Sequence, residues 1–211
     1  MKKIIFLFAF LFGNILTQAQ GFHFGAQLSG ILSQIEGDKL NGFNRAGYSF
    51  GLIGGFTFNE THALIINPQY AFFGSKKNSE KFSNEVNQLF IELGLSTINF
   101  LGGYSFRFGD TWTEEKKYRI NAGLRIHRKI KSDVNIIRTS QAANVTFDED
   151  EDLKDFFMCL EFGAGINLPR NFGLELSYSH SLQNILKNQK GNITKLVPFH
   201  LSLGLNYYIF K

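Results

Sequence analysis

Cysteine is almost absent: Cys159 is the single thiol of a 211-residue chain. One thiol excludes an intramolecular disulfide and any metal centre built on paired thiolates, and a lone cysteine on a strand reads as a small packed hydrophobe. The five histidines are scattered, so no His-based metal spacing replaces it. No Gly-x-x-x-x-Gly-Lys loop is present to cradle a phosphate. No window after residue 20 is long and apolar enough for a membrane helix, and no 3.6-residue apolar stripe recurs there. Basic residues do not form a stripe interleaved with aromatics, which removes nucleic acid as a partner.

What the chain does have is aromatics and glycine: 24 Phe and 21 Gly stand against 3 Pro and 2 Met. Mean hydropathy is only -0.09. The N-terminus carries Met1, Lys2 and Lys3, then an apolar run from Ile4 to Phe12 and the small-polar stretch Thr17-Gln18-Ala19. That order is a secretory signal, with cleavage expected after Ala19 and no cysteine there to take a lipid. The apolar run is shorter than the roughly 20 residues that a membrane anchor needs. Residues 20–211 then form one domain, and loss of Lys2 and Lys3 lowers the formal charge from +4 to +2. A secreted chain rich in aromatics, without apolar helices, satisfies its backbone in lipid only by closing strands on one another.

Period-2 alternation recurs about eight times, with polar breaks between. The expected strands run over 22–32, 47–58, 63–74, 88–108, 118–130, 155–168, 172–183 and 197–210. Most reach or exceed the 9 to 11 residues, roughly, that a tilted strand needs to cross a membrane. Tyr48, Phe50, Leu52, Phe56 and Phe58 share one face of the second strand, against Ser49, Gly51, Gly55 and Thr57. The last strand repeats the pattern with Leu201, Leu203, Leu205 and Tyr207 opposite His200, Ser202, Gly204 and Asn206. One face is large and apolar; the other is small and polar, as a crowded lumen requires.

Breaks of four and three residues at 59–62 and 169–171, and a somewhat longer one at 109–117, alternate with long ones at 33–46, 75–87, 131–154 and 184–196. The architecture expected is therefore an all-β, eight-stranded, antiparallel up-and-down transmembrane barrel in the bacterial outer membrane. Short turns and both mature termini face the periplasm, and long loops face outward. In 88–108 the apolar residues change parity, from Leu89, Ile91, Leu93 and Leu95 to Ile98, Phe100, Tyr104, Phe106 and Phe108. A bulge near Ser96 to Ile98 explains this; the alternative is two short strands.

The alternation points Arg107, Arg119, Arg125 and His127 into the lumen with Glu161 and Glu175. Charges in a narrow, dry interior must be paired, so these six are expected to form an ionic plug, with a gated polar path as the functional alternative. The acidic run Asp148, Glu149, Asp150, Glu151 and Asp152 falls in the longest loop, where it reads as a solvated segment. An EF-hand register from Asp148 fails, because Leu153 and Cys159 occupy its glycine and glutamate positions. His180 and Ser181 are adjacent, hence on opposite faces of a strand, and cannot act as base and nucleophile. The Gly-x-Ser-x-Gly match around Ser49 lies in an alternating strand with no helix to make an elbow. No catalytic, cofactor-binding or metal-binding residue is expected. Tyr207, Tyr208 and Phe210 close the chain as the kind of aromatic strand that barrel-assembly machinery engages.

The segments Phe22-His23-Phe24-Gly25-Ala26-Gln27-Leu28-Ser29-Gly30, Gly47-Tyr48-Ser49-Phe50-Gly51-Leu52, Asn67-Pro68-Gln69-Tyr70 and Leu203-Gly204-Leu205-Asn206-Tyr207-Tyr208 resemble the PorT-like outer-membrane β-barrels of Bacteroidota. The resemblance spans essentially the whole mature chain and implies an eight-stranded barrel. It also implies a non-enzymatic role beside type IX-like secretion or envelope assembly, with outer-membrane lipid and envelope or secretion proteins as partners. A narrow pore for small solutes, or a lipid-modifying enzyme, are the other classes weighed. The resemblance carries no active-site motif onto this chain.

Overall fold

The computed structural model describes residues 21–40, 42–76, 89–110, 116–138, 149–189 and 193–210, with the backbone alone at 89, 110, 137, 138, 149 and 150. The expected signal segment, 1–19, lies outside the described residues. Eight strands close into an antiparallel barrel in chain order: β1 (Phe22–Glu36), β2 (Arg45–Thr57), β3 (His62–Ser75), β4 (Leu89–Asp110), β5 (Lys116–Arg138), β6 (Phe156–Asn167), β7 (Phe172–Ser181) and β8 (Val197–Phe210). A four-residue helix, α1 (Glu149–Asp152), lies between β5 and β6. Every strand pairs with its sequence neighbours, and β8 returns to β1, so no edge is left open.

Closure needs a tight seam. The β1–β8 register shifts at Phe24/Gly25. A Cβ on Gly25 would lie 2.1 Å from the Tyr207 carbonyl oxygen, so only glycine admits this approach. The extra residue is Ile209: Tyr208 keeps the inward parity of Gly204 and Asn206, and the shift leaves Ile209 and Phe210 both on the outer face.

The outer face is apolar around the whole wall, with Leu28, Leu52, Ile66, Phe100, Leu124, Phe162, Leu176 and Leu203 all exposed. Aromatics gather at its two margins. Phe56, Phe58, Phe106, Phe108, Tyr118 and Phe172 ring the rim of short turns, whereas Tyr48, Phe156 and Tyr178 approach the rim of long loops. The interior carries the complementary set: Ser29, Ser49, Asn67, Gln69, Thr97, Asn99, Asn121, Ser177 and Asn206 are all buried.

Residues 89–110 form one strand, and the register between β4 and β5 shifts at Ser96/Thr97, where the sequence broke parity. The extra residue, however, belongs to β5. Ser96 pairs with Lys131 and Thr97 with Lys129, which leaves Ile130 as the bulge. β4 itself never changes face. Ile91, Leu93 and Leu95 point inward together with Thr97, Asn99 and Leu101. What changes is the chemistry of the interior, which is polar over most of the barrel and apolar near the loop rim. β5 also continues to Arg138, beyond the expected end at 130, so much of the expected long connection 131–154 begins as strand.

Candidate functional site

The lumen is filled in layers, and the strand register sets the height of each. At the short-turn rim Arg107, from the end of β4, donates to Thr57 Oγ1 at 3.1 Å and approaches His23 Nε2 at 3.2 Å. One layer in, Arg119 of β5 meets Glu175 of β7, Nη2 to Oε2 at 2.9 Å, while its Nη1 donates to Asn167 at 2.7 Å. Asn121 donates to the other Glu175 oxygen at 3.0 Å and Asn206 to Oε2 at 3.3 Å. The third layer pairs Arg125 of β5 with Glu161 of β6 through two bonds, Nε–Oε2 at 2.5 Å and Nη2–Oε1 at 2.7 Å. From the neighbouring strands β4 and β3, Asn99, Asn67 and Gln69 accept the remaining guanidinium donors at 2.5, 3.1 and 3.3 Å, and Gln69 in turn donates to Gln27.

Both side chains of the Arg125–Glu161 pair are only 6% exposed. An ion pair so far from water persists only because each charge is also hydrogen-bonded, and here the fork geometry and three neutral acceptors meet that demand. The six candidate lumen residues therefore divide. Arg119 with Glu175, and Arg125 with Glu161, form the two ion pairs; Arg107 serves the rim layer with His23 and Thr57. His127 departs from the ionic network. It takes Thr97 Oγ1 at 3.1 Å and stacks on Phe157 at 4.6 Å with nearly parallel rings. Its height in the barrel places it where the interior turns aromatic, beside Phe73 and His200.

Above that layer the lumen is sealed by hydrocarbon. Ile31, Ile35, Phe73, Ile91, Leu93, Leu95, Phe157 and Cys159 from the wall pack with Leu153, Ile185, Leu186, Ile193 and Leu196 from the connections. The Leu153–Leu186 bridge ties two of these connections together, and Asn184 Oδ1 accepts the amides of Leu186 and Leu196 at 3.0 and 2.8 Å. A polar cavity remains in the middle of the barrel, lined by Gln27, Ser49, Gln69, Arg125, Glu161 and His200. It offers about 10 Å³ to the centre of a water molecule, space for roughly one water.

The acidic run does not act as one unit. Asp148 lies outside the described residues, and Glu149 and Asp150 are described in backbone alone as the start of α1. Glu151 is exposed, whereas Asp152 is buried and its carbonyl accepts the Lys187 amide at 2.8 Å. Among the described residues no His, Cys, Asp or Glu cluster could hold a metal ion. His180 lies on the outer face, its Nδ1 3.2 Å from the Tyr178 hydroxyl, while Ser181 is buried and donates to the Gln183 carbonyl at 2.9 Å. Ser49 is buried in the lumen, in mid-strand of β2.

The ion pairs are legible as inward-facing charges, and their neutral partners are a further part of the site that charge alone does not mark. The signal was present: Asn67, Gln69, Asn99 and Asn121 fall on inward parity in strands β3, β4 and β5, where an amide has no role in water or lipid.

A closed eight-stranded wall with an apolar outside and a polar inside is matched by a family model described as "Outer membrane protein beta-barrel domain", which covers residues 17–187 of the chain. The chain belongs to that family. This outer-membrane barrel protein resides in the bacterial outer membrane, and its strand β8 lies beyond the matched segment. Among solved structures it is similar to Ail, the attachment invasion locus protein of Yersinia pestis, in complex with the heparin analogue sucrose octasulfate: 12% identity, TM-score 0.48, covering 90% of this chain and 100% of that one. Neisserial surface protein A matches at 13% identity and TM-score 0.45, covering 89% and 97%. CarO of Acinetobacter baumannii matches at 13% and 0.46, covering 87% and 96%. No curated protein matches.

The lipid-facing wall makes a depth-dependent prediction. Leu176 stands midway along β7 and is 55% exposed, so Leu176→Arg is expected to destabilise the folded barrel by about 2–4 kcal/mol, whereas Leu32→Arg, near the loop rim, costs about 0–1 kcal/mol. Urea unfolding of both variants in phospholipid vesicles, read by gel mobility before boiling, measures the difference.

Proposed function

We propose that this outer-membrane barrel is a non-enzymatic, non-conducting scaffold that holds its long-loop rim outward for another envelope component, as an accessory of secretion or surface assembly. The observation that carries this is the filled lumen. Two ion-paired layers and an aromatic layer are followed by a hydrocarbon seal to which the connections themselves contribute. A barrel of eight strands has room mainly for its own side chains, and a path spent on packing leaves the rim as the working surface. The PorT-like pattern of glycine and aromatics supports the secretion-linked form of the proposal. Under it, the chain comes from a Bacteroidota cell, is exported by its cleaved signal, and has both termini in the periplasm.

A photo-crosslinking residue placed at Asn135 on the loop rim, and separately at Glu60 on the short-turn rim, tests this in native membranes. A discrete adduct with one envelope protein from position 135, absent from position 60, is the expected result. No adduct from either position, or turnover of lipid A lost on Ser49→Ala, contradicts it.

A further inference from the structure

The connection after β1, described at 37–40 and 42–44, crosses the loop rim in an unusual way. It leaves β1 through Gly37, whose φ is +98° and whose missing Cβ would lie 2.0 Å from the Lys195 carbonyl oxygen. Lys39 and Gly42 also take left-handed backbone, with φ 66° and 89°. Asp38 then reaches past β2 and β3 to the start of β4, where its carbonyl accepts the Ile91 amide at 3.2 Å. Leu40 is buried beside it, and Phe43 returns over β1 to pack edge-on against Phe199 at 5.4 Å. The segment is a strap over the hydrocarbon seal, fastened at β8, β1 and β4.

The residue at this fastening point, Asp38, carries a carboxyl group and has no exposed surface. Asp38 Oδ1 accepts the Leu40 amide at 2.8 Å, whereas Oδ2 is buried with no hydrogen-bond partner among the described residues. The charged groups on the elements around it are engaged elsewhere. Glu36 of β1 holds Lys195 at 2.5 Å, Arg45 of β2 is drawn toward Asp133 and Glu92, and Glu92 of β4 accepts Asn135 at 3.0 Å. Lys39 and Lys76 are exposed to solvent. A carboxylate buried beside neutral groups is costly, while its protonated form is tolerated.

We propose that residues 37–40 and 42–44 form a proton-sensitive strap, in which neutral Asp38 fastens the segment over the loop-rim seal and ionised Asp38 loosens it. Burial pushes the carboxyl up from 3.8 to about 6, against weaker opposing influences of the nearby Ser75 hydroxyl and the Leu40 amide. The sign follows from linkage. An acid whose value is raised on closure favours the closed form most at low pH. Closure weakens as pH rises from 3.8 to about 6, and is constant above that. Loosening frees the Ile91 amide and the buried Leu40 side chain, at the edge of the cluster that holds Ile91 and Leu93.

The test is hydrogen exchange of the full chain folded in phospholipid vesicles, read on the peptide spanning 37–44 and corrected for intrinsic exchange. From about pH 4.5 to about pH 7 its protection is expected to fall on the order of tenfold, while β1 stays unchanged. Asp38→Asn, a neutral mimic of the protonated acid, is expected to remain protected at both values, and Ser75→Ala to move the midpoint upward. A flat profile in the wild-type protein overturns the proposal, whether or not the variants fold. So does an Asp38→Asn profile with the wild-type slope, which assigns the pH dependence to another group such as Glu36.

Discussion

Glu161→Ala is expected to destabilise the barrel by about 3–5 kcal/mol, because it strands the Arg125 guanidinium, without a counter-charge, in a buried interior too small to hydrate it fully. Arg125 cannot shed its proton, so the cost is not relieved by titration. Its three neutral acceptors, Asn67, Gln69 and Asn99, remain, but they satisfy N–H groups and leave the charge itself unbalanced. Replacing both partners, Arg125→Met with Glu161→Leu, is expected to recover most of the loss, since burying hydrocarbon of similar volume removes the charge altogether. The contrast is the exposed Glu36–Lys195 pair, half in solvent on both sides, where Lys195→Gln is expected to cost less than about 1 kcal/mol. Urea titration of the folded protein in vesicles ranks the three variants. A neutral Glu161→Ala would mean that the lumen is wet enough to hydrate Arg125.

Phe157→Ala carries the second large effect, about 3–5 kcal/mol, from lost burial together with the cavity left behind. Phe157 is 1% exposed and covers the face of His127 at 4.6 Å, at the boundary between the polar layers and the hydrocarbon seal. Its neighbours on the wall are held by the β5–β6 ladder, in which Phe157 pairs with His127, and this backbone resists collapse into the gap. Phe157→Leu fills part of that volume and is expected to cost less than half as much. The same urea titration separates the two, and equal costs would show that the seal is loosely packed.

The strand number and the closure were legible because both depend on period 2 and on where the chain turns, which are local properties. Tyr48, Phe50 and Leu52 against Ser49 and Gly51 state the inside and the outside of β2 without help from any other strand. The apolar seal was not legible for the same reason. Ile91, Leu93 and Leu95 are greasy on the parity that is polar elsewhere in β4, and only the connections folded over them explain why. Sequence parity therefore pointed to a bulge in β4, whereas the register places the extra residue, Ile130, on β5. The same local rule groups His127 with the charges, because it gives the face of a side chain but not its height along the barrel, where His127 meets Thr97 and Phe157. The strap over residues 37–40 and 42–44 has no periodic signature, and its fastening by Asp38 depends on contacts with the ends of β3 and β4 that lie far along the chain.

The closed lumen is tested most directly by single-channel recording of the purified, folded protein in planar bilayers. A silent membrane is expected, with steps appearing only when both ion pairs and the seal are removed, as in a variant combining Arg119, Arg125 and Phe157→Ala. Steady, stepwise conductance from the wild-type barrel would contradict the account.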